Sequence, residues 1–506
     1  MTDVYSQVPD WMPVLIGAGQ TVEREATADS PMALASKAAM AAVEDTEANG
    51  VAAAIDTIAV IRIFSDSSKA WSCQHGRSNN PPQSIAKAIG ASPESRIYSA
   101  VGGNEPLSLL IEFARDIAKG KRDLVMLAGA EALLNQKQAD RQQQMLDWDE
   151  AYSESLEERQ SAAKLLAPQE RANGLMLPMF FYSLIEQARR QAYGTSLDEY
   201  QQQMAALLTP LNQQAVENPY TQFTKSYAQE DILDGLPLTH IYNNRMVAKD
   251  GVNQGAALIL CSAGKARELG INPEKWVFLH GLSQGTELCF IEREDVSTSR
   301  MAQKVVDGAL SMAGKSVADI QAMDLYSCFP CAVTAITDHL QLPVDGDVPL
   351  SLTGGLPYFG GPGNNYTMHG LAEAVTYSRR NRQDYTLVTA NGGFLSKHAA
   401  GVFSAQVSEV DWRDADTQQS QADLKAKPMA IDPEAGRIVT YVVNYRKDAP
   451  VNAMVLAEND KGERFIATTA KGDTDTLAAM LAEDPSGHAI TVTPTDIEYQ
   501  LHFTLA

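Results

Sequence analysis

The stretch Ser351–Gly370, which reads SLTGGLPYFGGPGNNYTMHG, holds six glycines and two prolines in twenty residues. This composition excludes a regular helix or strand over most of its length, because glycine and proline both interrupt such structures. The stretch, called the glycine loop below, leads into Thr367–Arg379, whose apolar spacing predicts an amphipathic helix. A helix N-terminus behind such a loop presents free N–H groups and the positive end of the helix dipole. The pattern therefore predicts a binding site for anions or thioester oxygens.

Strand and helix patterns alternate on both sides of the glycine loop. Ala322–Cys328 (AMDLYSC) precedes it and Asp384–Gly393 (DYTLVTANGG) follows it; both are too apolar to flank a disordered surface loop, which is the alternative interpretation. Near the N-terminus, Pro13–Gly17 predicts a strand, and a helix begins after Ser30, a residue that favours helix N-caps. Further strands are predicted at Ile55–Phe64 and Asp123–Ala128. Strands that alternate with helices in this way predict a parallel α/β sheet.

The second series of strands repeats the first. WVFLHG and LSQGT, from Trp276, resemble VLIGAGQT, from Val14, and the glycine loop with its helix matches Val101–Pro106 with its helix. Ala322–Cys328 also matches Ile55–Phe64, and Asp384–Gly393 matches the segment from Asp123. These four matched elements in the same order predict two similar halves, which we place at residues 1–270 and 271–407. In a duplicated fold the two glycine turns should lie close together.

Three other segments interrupt or follow this pattern. Residues 133–245 are rich in Gln, Glu and Ala and predict a mostly helical insertion in the first half, with long helical stretches at Pro178–Tyr193 and Leu197–Leu208. Residues 408–430 predict a polar linker. Residues 431–506 contain short strand patterns and one helix, which predict a small β-rich domain such as a barrel.

Composition excludes several classes of protein. The formal net charge of −22 argues against nucleic acid or an anionic membrane as a partner. The five cysteines are sparse, and the pair Cys328 and Cys331 has no second pair or His cluster to complete a zinc site, so we expect no metal. Without a leader or membrane-spanning pattern, the sequence predicts a cytoplasmic protein.

Several stretches resemble the thiolase superfamily, in the order that this superfamily has them. Arg96–Glu131 is similar to the thiolase segment that carries the nucleophilic cysteine, and Lys249–Leu260 to the end of the first half. Leu325–Pro330 (LYSCFP) resembles the His-Asp-Cys-Phe motif of the sterol-carrier-protein type of thiolase. Thr353–Gly370 resembles the stretch with Gly-His-Pro, and Thr389–Phe394 the C-terminal Cys-x-Gly stretch. The resemblance covers about residues 10–405. It implies a duplicated thiolase fold with α-β-α-β-α layers, and the added C-terminal domain suggests the type-1 thiolase-like proteins.

The positions that would carry thiolase catalysis depart from the family pattern. Gly103 stands in the place of the nucleophilic cysteine, Gly361 in that of the catalytic His, and Ala390 in that of the second cysteine. Tyr326 and Ser327 replace the His and Asp of the His-Asp-Cys-Phe motif. Thiolysis needs a thiolate, a base and oxyanion holes, so we expect ordinary thiolysis to be absent.

Some polar groups could still act in a pocket. Cys328 and His369 are a candidate nucleophile and base. Each also has a structural interpretation, because a strand cysteine is usually a small buried hydrophobe and a His near a helix start usually hydrogen-bonds within the fold. Candidate substrate-binding residues are Tyr326, Phe329, Asn364, Asn391 and Gly392.

Two classes of function stay open. In the first, the protein is an acyltransferase of the acetyl-CoA acetyltransferase type in lipid metabolism, acting through Cys328 or His369. In the second, it is a non-catalytic binder or scaffold whose C-terminal domain recruits an acyl substrate or a partner protein. Both imply a CoA or acyl-carrier thioester as the ligand, with no covalently bound cofactor, and the resemblance to thiolases suggests a possible homodimer.

Overall fold

The computed structural model describes residues 4–68, 71–161, 163–343 and 346–506. Its strands are β1 (Pro13–Val22), β2 (Thr57–Val60), β3 (Ser95–Tyr98), β4 (Leu124–Ala132), β5 (Glu157–Glu158), β6 (Asn253–Ser262), β7 (Val277–Thr286), β8 (Ala322–Asp324), β9 (Thr386–Gly392), β10 (Lys397–Ser404), β11 (Ala435–Arg446), β12 (Ala449–Glu458), β13 (Arg464–Thr468), β14 (Ala489–Pro494) and β15 (Leu501–Leu505).

The α-helices follow the same order along the chain. They are α1 (Pro31–Asp45), α2 (Val51–Ala54), α3 (Pro81–Ile89), α4 (Glu105–Ala118), α5 (Leu133–Gln142), α6 (Pro168–Ala172), α7 (Pro178–Tyr193), α8 (Leu197–Glu217), α9 (Gln229–Leu233), α10 (Ala263–Glu268), α11 (Arg300–Met312), α12 (Pro330–Leu340), α13 (Tyr366–Arg380) and α14 (Thr474–Ala482).

The central sheet confirms the duplication. Its strand order is β5-β3-β2-β4-β6-β1-β7-β10-β9-β8. In the first half β6 runs antiparallel to its neighbours β1 and β4, and in the second half β10 runs antiparallel to its neighbours β7 and β9. The halves join where β1 pairs with β7, at Val14 opposite Phe278. The spatial order β1-β6-β4-β2 of the first half therefore matches the order β7-β10-β9-β8 of the second half.

Helices α4 and α13 are the equivalent helices that follow the two glycine turns. Each contacts strands of both halves, as expected for the middle helical layer that the resemblance to thiolases implies. The Thr367 hydroxyl, at the start of α13, donates a hydrogen bond to the Gly103 carbonyl, just before α4, at 2.9 Å. The predicted proximity of the two turns is confirmed.

The insertion is mostly helical, and one of its helices is longer than expected. The sequence predicts a helix that ends at Leu208, before Pro210, but α8 continues to Glu217 with Pro210 inside it. A proline removes one main-chain hydrogen bond from a helix. Burial of Leu207, Leu211 and Ala215 on the continuing helix offsets this loss.

The C-terminal strands close into a barrel in the order β11-β12-β13-β15-β14, with α14 between β13 and β14. Residues on the outside of the barrel, such as Val442, Met454 and Ile466, share a hydrophobic core with the insertion. The Thr440 hydroxyl also donates a hydrogen bond to the Leu184 carbonyl of α7 at 2.7 Å. The barrel is therefore docked onto the insertion, while the domain boundaries named above stay predictions.

The segment that we predict to be a linker also lies against the core. Trp412 is fully buried, and the Gln284 N–H donates a hydrogen bond to the Thr417 carbonyl at 2.8 Å. No helix in the described part of the chain is long and apolar enough to cross a membrane.

Candidate functional site

The turn before α4, residues 101–104, has no space for a nucleophile. A Cβ atom added to Gly103 would lie within 3.0 Å of the Tyr326 hydroxyl and of the Asn391 carbonyl oxygen. Real Cβ atoms do not approach other atoms so closely, so even a small side chain would displace its neighbours. The phenol of Tyr326 occupies the place that the missing side chain would take.

A buried lysine closes the same turn from another side. The Lys397 ammonium donates to the Val101 carbonyl, next to Gly102, and lies 4.0 Å from the Glu105 carboxylate. Burial lowers the pKa of Lys397 and raises the pKa of Glu105. Tyr326 and Lys397 therefore both pack against the turn at the N-terminus of α4.

Cys328 lies on the segment between β8 and α12, in a buried position. The Asn391 side-chain amide donates to its Sγ at 3.7 Å, and burial raises the pKa of the Cys328 thiol to about 12. The next residue, Phe329, stacks on Tyr182 of α7 with ring centroids 4.2 Å apart. At neutral pH Cys328 is therefore a neutral thiol, which is a poor nucleophile.

The start of α12 is positioned by the insertion. The Cys331 N–H donates to the buried Glu186 carboxylate at 2.9 Å, and Glu186 also accepts from the hydroxyls of Tyr200 and Tyr242. A carboxylate at a helix N-terminus stabilises the free N–H groups there. The cysteine pair thus lies in a rigid, fully packed environment.

Asn391 and Gly392, at the end of β9, join the same cluster. The Asn391 amide donates to the Tyr182 hydroxyl at 2.6 Å, and its Oδ1 has no hydrogen-bond partner among the described residues. A Cβ atom on Gly392 would meet Asn104 Oδ1, so this position requires glycine. Ala390 is buried within β9, opposite Ala399 of β10.

The glycine loop is buried, so the alternative of a disordered surface loop is wrong. Four of its glycines, Gly354, Gly355, Gly360 and Gly363, have positive φ angles. The buried Asp324 carboxylate accepts four hydrogen bonds from Ser351, Leu352 and Thr353 at 2.9–3.0 Å, which hold the start of the loop.

Gly361 differs from Gly103 in its surroundings. The atoms nearest to a Cβ added there are the Lys249 carbonyl oxygen at 3.2 Å and a Leu356 methyl group at 3.5 Å. The Gly361 N–H donates to the same Lys249 carbonyl at 2.8 Å, and the neighbouring Ala248 N–H donates to the Cys328 carbonyl at 2.9 Å. The position that the resemblance assigns to the catalytic His therefore lies near the Cys328 main chain, and a Cβ atom there would have looser contacts than one on Gly103.

His369 and Asn364 lie apart from this cluster. His369 is fully buried and bonds through Nδ1 to the Gln20 side chain at 2.7 Å, and burial lowers its pKa to about 3. The Asn364 amide donates to the Arg62 carbonyl at 2.8 Å. No hydrogen bond joins Cys328 to His369 in the described part of the chain, so the structure does not pair the candidate nucleophile with the candidate base.

The structure thus brings together Gly103, Tyr326, Cys328, Asn391 and Gly392, with Phe329 beside them. Sequence reasoning missed Tyr182, which bonds Asn391 and stacks on Phe329. Nothing in the pattern of α7 distinguishes this tyrosine from the apolar residues around it. The described residues contain no group of three or more side chains that could hold a metal ion.

Comparison with solved structures relates the whole chain to a known protein. The structure of a monomeric SCP2-thiolase like protein type 1 from Mycobacterium smegmatis has a TM-score of 0.83 and 34% sequence identity. The match covers 99% of this chain and 100% of that protein. The sequence matches no protein-family profile and no curated protein.

More distant structures share the fold alone. An Ltp2–ChsH2(DUF35) aldolase has a TM-score of 0.58 at 16% identity, covering 78% of this chain and 98% of that one. Acetyl-CoA acetyltransferase from Syntrophomonas wolfei has a TM-score of 0.55 at 16% identity, covering 78% and 99%. Taken with the identity and full coverage of the mycobacterial structure, the fold shows that this chain belongs to the SCP2-thiolase-like proteins of type 1.

Proposed function

We propose that this protein binds a CoA or acyl-carrier thioester without forming a covalent acyl-enzyme. The observation that carries the proposal is the Tyr326 hydroxyl at the place of a side chain on Gly103, which leaves no nucleophile at α4. The names of two fold neighbours, an acetyl-CoA acetyltransferase and a human mitochondrial 3-ketoacyl-CoA thiolase, support a CoA thioester as the ligand class.

The raised pKa of the Cys328 thiol supports a non-covalent role for the protein. Attack on a thioester needs a thiolate, and burial raises the pKa of Cys328 to about 12. His369, bonded to Gln20, does not provide a base for it. Cys328 therefore contributes packing beside Asn391 rather than chemistry.

Groups for non-covalent binding are present. The glycine loop brings main chain without large side chains ahead of α13, and the contacts around its Gly361 are looser than those around Gly103. The unpartnered Asn391 Oδ1 is an acceptor that suits an amide N–H, such as those of pantetheine. These groups favour a thioester ligand that is held mainly by main-chain and amide hydrogen bonds.

The test combines binding with a search for an acyl adduct. Isothermal calorimetry with acetyl-CoA should show binding, while intact-protein mass spectrometry after incubation should show no added acyl group. Cys328→Ser should bind as tightly as the parent. Stoichiometric acylation that Cys328→Ser abolishes would instead establish covalent chemistry at Cys328.

The scaffold hypothesis depends on what the barrel does. Its outer face packs on the insertion through Val442, Met454 and Ile466, which favours a role as a cover for that part of the chain. Removal of residues 431–506 should then leave an insoluble core. A soluble core that binds CoA esters but loses a partner protein would support the scaffold instead.

Location in the cytoplasm and a homodimer are also proposals. The edge of β3 is occupied by the acidic strand β5, where Ile97 pairs with Glu157. Charged residues on an edge strand oppose pairing with a second chain. A dimer through this edge would need β5 to move, and sedimentation analysis of the purified protein would detect it.

A further inference from the structure

A narrow cleft lies at the carboxyl ends of two neighbouring strands of the first half, β2 and β4. These strands run parallel, with Thr57 opposite Val125. Asp66, which follows β2, and Glu131, at the end of β4, line the cleft together with the N-termini of α1 and α3. In open α/β sheets, ligands bind at the carboxyl ends of parallel strands. We call this space the first-half cleft and examine which ligand its lining suits.

Glu131 is the buried polar group of the first-half cleft, with only 2% of its surface exposed. Its Oε1 accepts a hydrogen bond from the Phe64 N–H at 2.6 Å, while no described residue donates a hydrogen bond to its second oxygen, Oε2. Burial, with the charges of Asp66 and Asp250, raises the pKa of Glu131 to about 8. A buried oxygen without a partner is costly, so a donor in the cleft would stabilise this carboxyl group.

The other polar groups of the cleft add mainly acceptors. The Asp66 carboxylate accepts from Arg77 and from the Tyr98 hydroxyl, each at 2.9 Å. Arg77 is the one basic side chain among the described residues that line the cleft, and it is already paired with Asp66. The half-buried Gln136 side chain also lines the cleft and has no hydrogen-bond partner among the described residues. This lining favours a ligand that donates hydrogen bonds and carries positive charge.

The remaining wall of the cleft is apolar. Met32, Ile63, Leu133 and Trp148 are buried side chains that line it. The Trp148 indole N–H donates to the Ala28 carbonyl at 2.8 Å, so this residue contributes its ring and no free donor. An apolar wall beside a carboxyl group suits a ligand with a short hydrocarbon part and a charged end.

We propose that the first-half cleft binds a small primary amine, with its ammonium group on Glu131 and its hydrocarbon part against the apolar wall. On binding, the ammonium donates to the Glu131 carboxylate, and the proton of the neutral Glu131 leaves to solvent. An ion pair with hydrogen bonds offsets part of the cost of burying both charges. The site is separate from the thioester site proposed above, and the inference does not depend on that function.

This exchange makes amine binding depend on pH. The charged or titratable groups around Glu131 are Asp66, Asp250, Arg77 and Cys73. Asp66 keeps its ion pair with Arg77, and burial raises the pKa of the Cys73 thiol, which is therefore neutral at neutral pH. Below pH 8 the empty site holds a proton on Glu131, so the affinity for an amine should rise as the pH increases from 6 to 8.

Calorimetry with n-butylamine, butan-1-ol and butyrate tests the site. At pH 7 the amine should bind about tenfold or more tightly than the alcohol, and butyrate should not bind. Titrations in two buffers of different ionisation enthalpy should show that butylamine releases nearly one proton. Glu131→Gln keeps the shape of the side chain but cannot ionise. It should weaken butylamine binding about tenfold, abolish the proton release and leave the binding of butan-1-ol unchanged.

The matched control is Glu170→Gln. Glu170 is also buried, its carboxylate accepts from the Ile291 N–H at 2.8 Å, and burial raises its pKa to about 7, but it lies outside the cleft. This variant should bind butylamine as the parent does. A second readout needs no variant: butylamine should slow the alkylation of Cys73 by N-ethylmaleimide, because Cys73 lines the cleft and is the half-buried one of the five cysteines.

Three results would overturn the inference. If butylamine fails to bind the parent, or binds Glu131→Gln as tightly, the cleft is not an ammonium site. If butylamine and butan-1-ol bind equally well, only the apolar wall is recognised. If butylamine binds without releasing a proton, Glu131 is ionised in the empty site and the exchange is wrong. Binding of acetyl-CoA is measured separately and bears only on the proposed function.

Discussion

The α4 turn and the glycine loop are equivalent turns of the two halves, and each has a glycine, Gly103 or Gly361, at the position that the resemblance to thiolases assigns to a catalytic side chain. Their surroundings differ. At Gly103 the freed space is filled by Tyr326, with Lys397 beside it. At Gly361 the nearest atoms to a new side chain lie 3.2–3.6 Å away, close to ordinary contact.

The difference teaches that two equivalent glycines can have unlike surroundings. The first turn is packed against Tyr326, so a side chain on Gly103 would displace its neighbours. The second turn is held at its start by Asp324 and has looser contacts at Gly361. A thioester ligand is therefore expected on the side of the glycine loop.

The largest effect is expected from Gly103→Cys. Overpacking against Tyr326 and the Asn391 main chain should lower the free energy of unfolding by about 3 kcal/mol. The measurement is denaturant unfolding, with Gly361→Cys as the matched control. If the two variants were equally stable, the claim that Gly103 has tighter surroundings than Gly361 would be wrong. A Tyr326→Ala background should restore part of the loss, since the two sites are in contact.

A smaller effect on stability is expected from a change at Glu131. Its carboxyl group lies against Gly363 of the glycine loop and accepts a hydrogen bond from the Phe64 N–H at 2.6 Å. Burial raises its pKa from 4.5 to about 8. The stability that depends on the neutral form is present below pH 4.5 and is lost as the pH rises towards 8.

The neutral variant Glu131→Gln should therefore be more stable than the parent at pH 8, by about 2 kcal/mol, and should lack this pH dependence. Thermal unfolding at a series of pH values between 4.5 and 8.5 would measure it. If parent and variant show parallel pH profiles, Glu131 does not titrate in this range.

The smallest effect on stability is expected at Gly361. Gly361→Val should lower the free energy of unfolding by about 1 kcal/mol, because the Lys249 carbonyl must shift to admit its Cβ. The added methyl groups should nevertheless obstruct ligand binding at the loop. If a folded Gly361→Val binds CoA esters as tightly as the parent, the ligand lies elsewhere and the glycine loop only preserves the fold.

Much of the fold could be predicted from the sequence because short stretches of residues determine where helices and strands form. α7 begins and ends at Pro178 and Tyr193, as expected, and the four repeated elements have equivalent places in the sheet. The end of α8 was missed, since burial of Leu211 and Ala215 on its last turns depends on tertiary packing.

The candidate site was predictable only in part. From the sequence, Cys328, Asn391 and His369 were candidate site residues, and Cys328 and His369 were a candidate pair. The structure brings Cys328 and Asn391 together and leaves His369 apart. Hydrogen bonding of His369 to Gln20, 349 residues away in the chain, is not visible in any local pattern.

The sequence by itself determined the duplicated α/β fold, the helical insertion and the absence of a cysteine between Cys73 and Cys261, because spacing and residue type decide these features. Only the tertiary structure decided that Tyr326 fills the space beside Gly103 and that Gly361 has looser surroundings. It alone also brought three cations, Lys225, Arg245 and Lys249, around the Tyr227 ring. The physical reason is that space and electrostatic pairing depend on side chains brought together from distant parts of the chain.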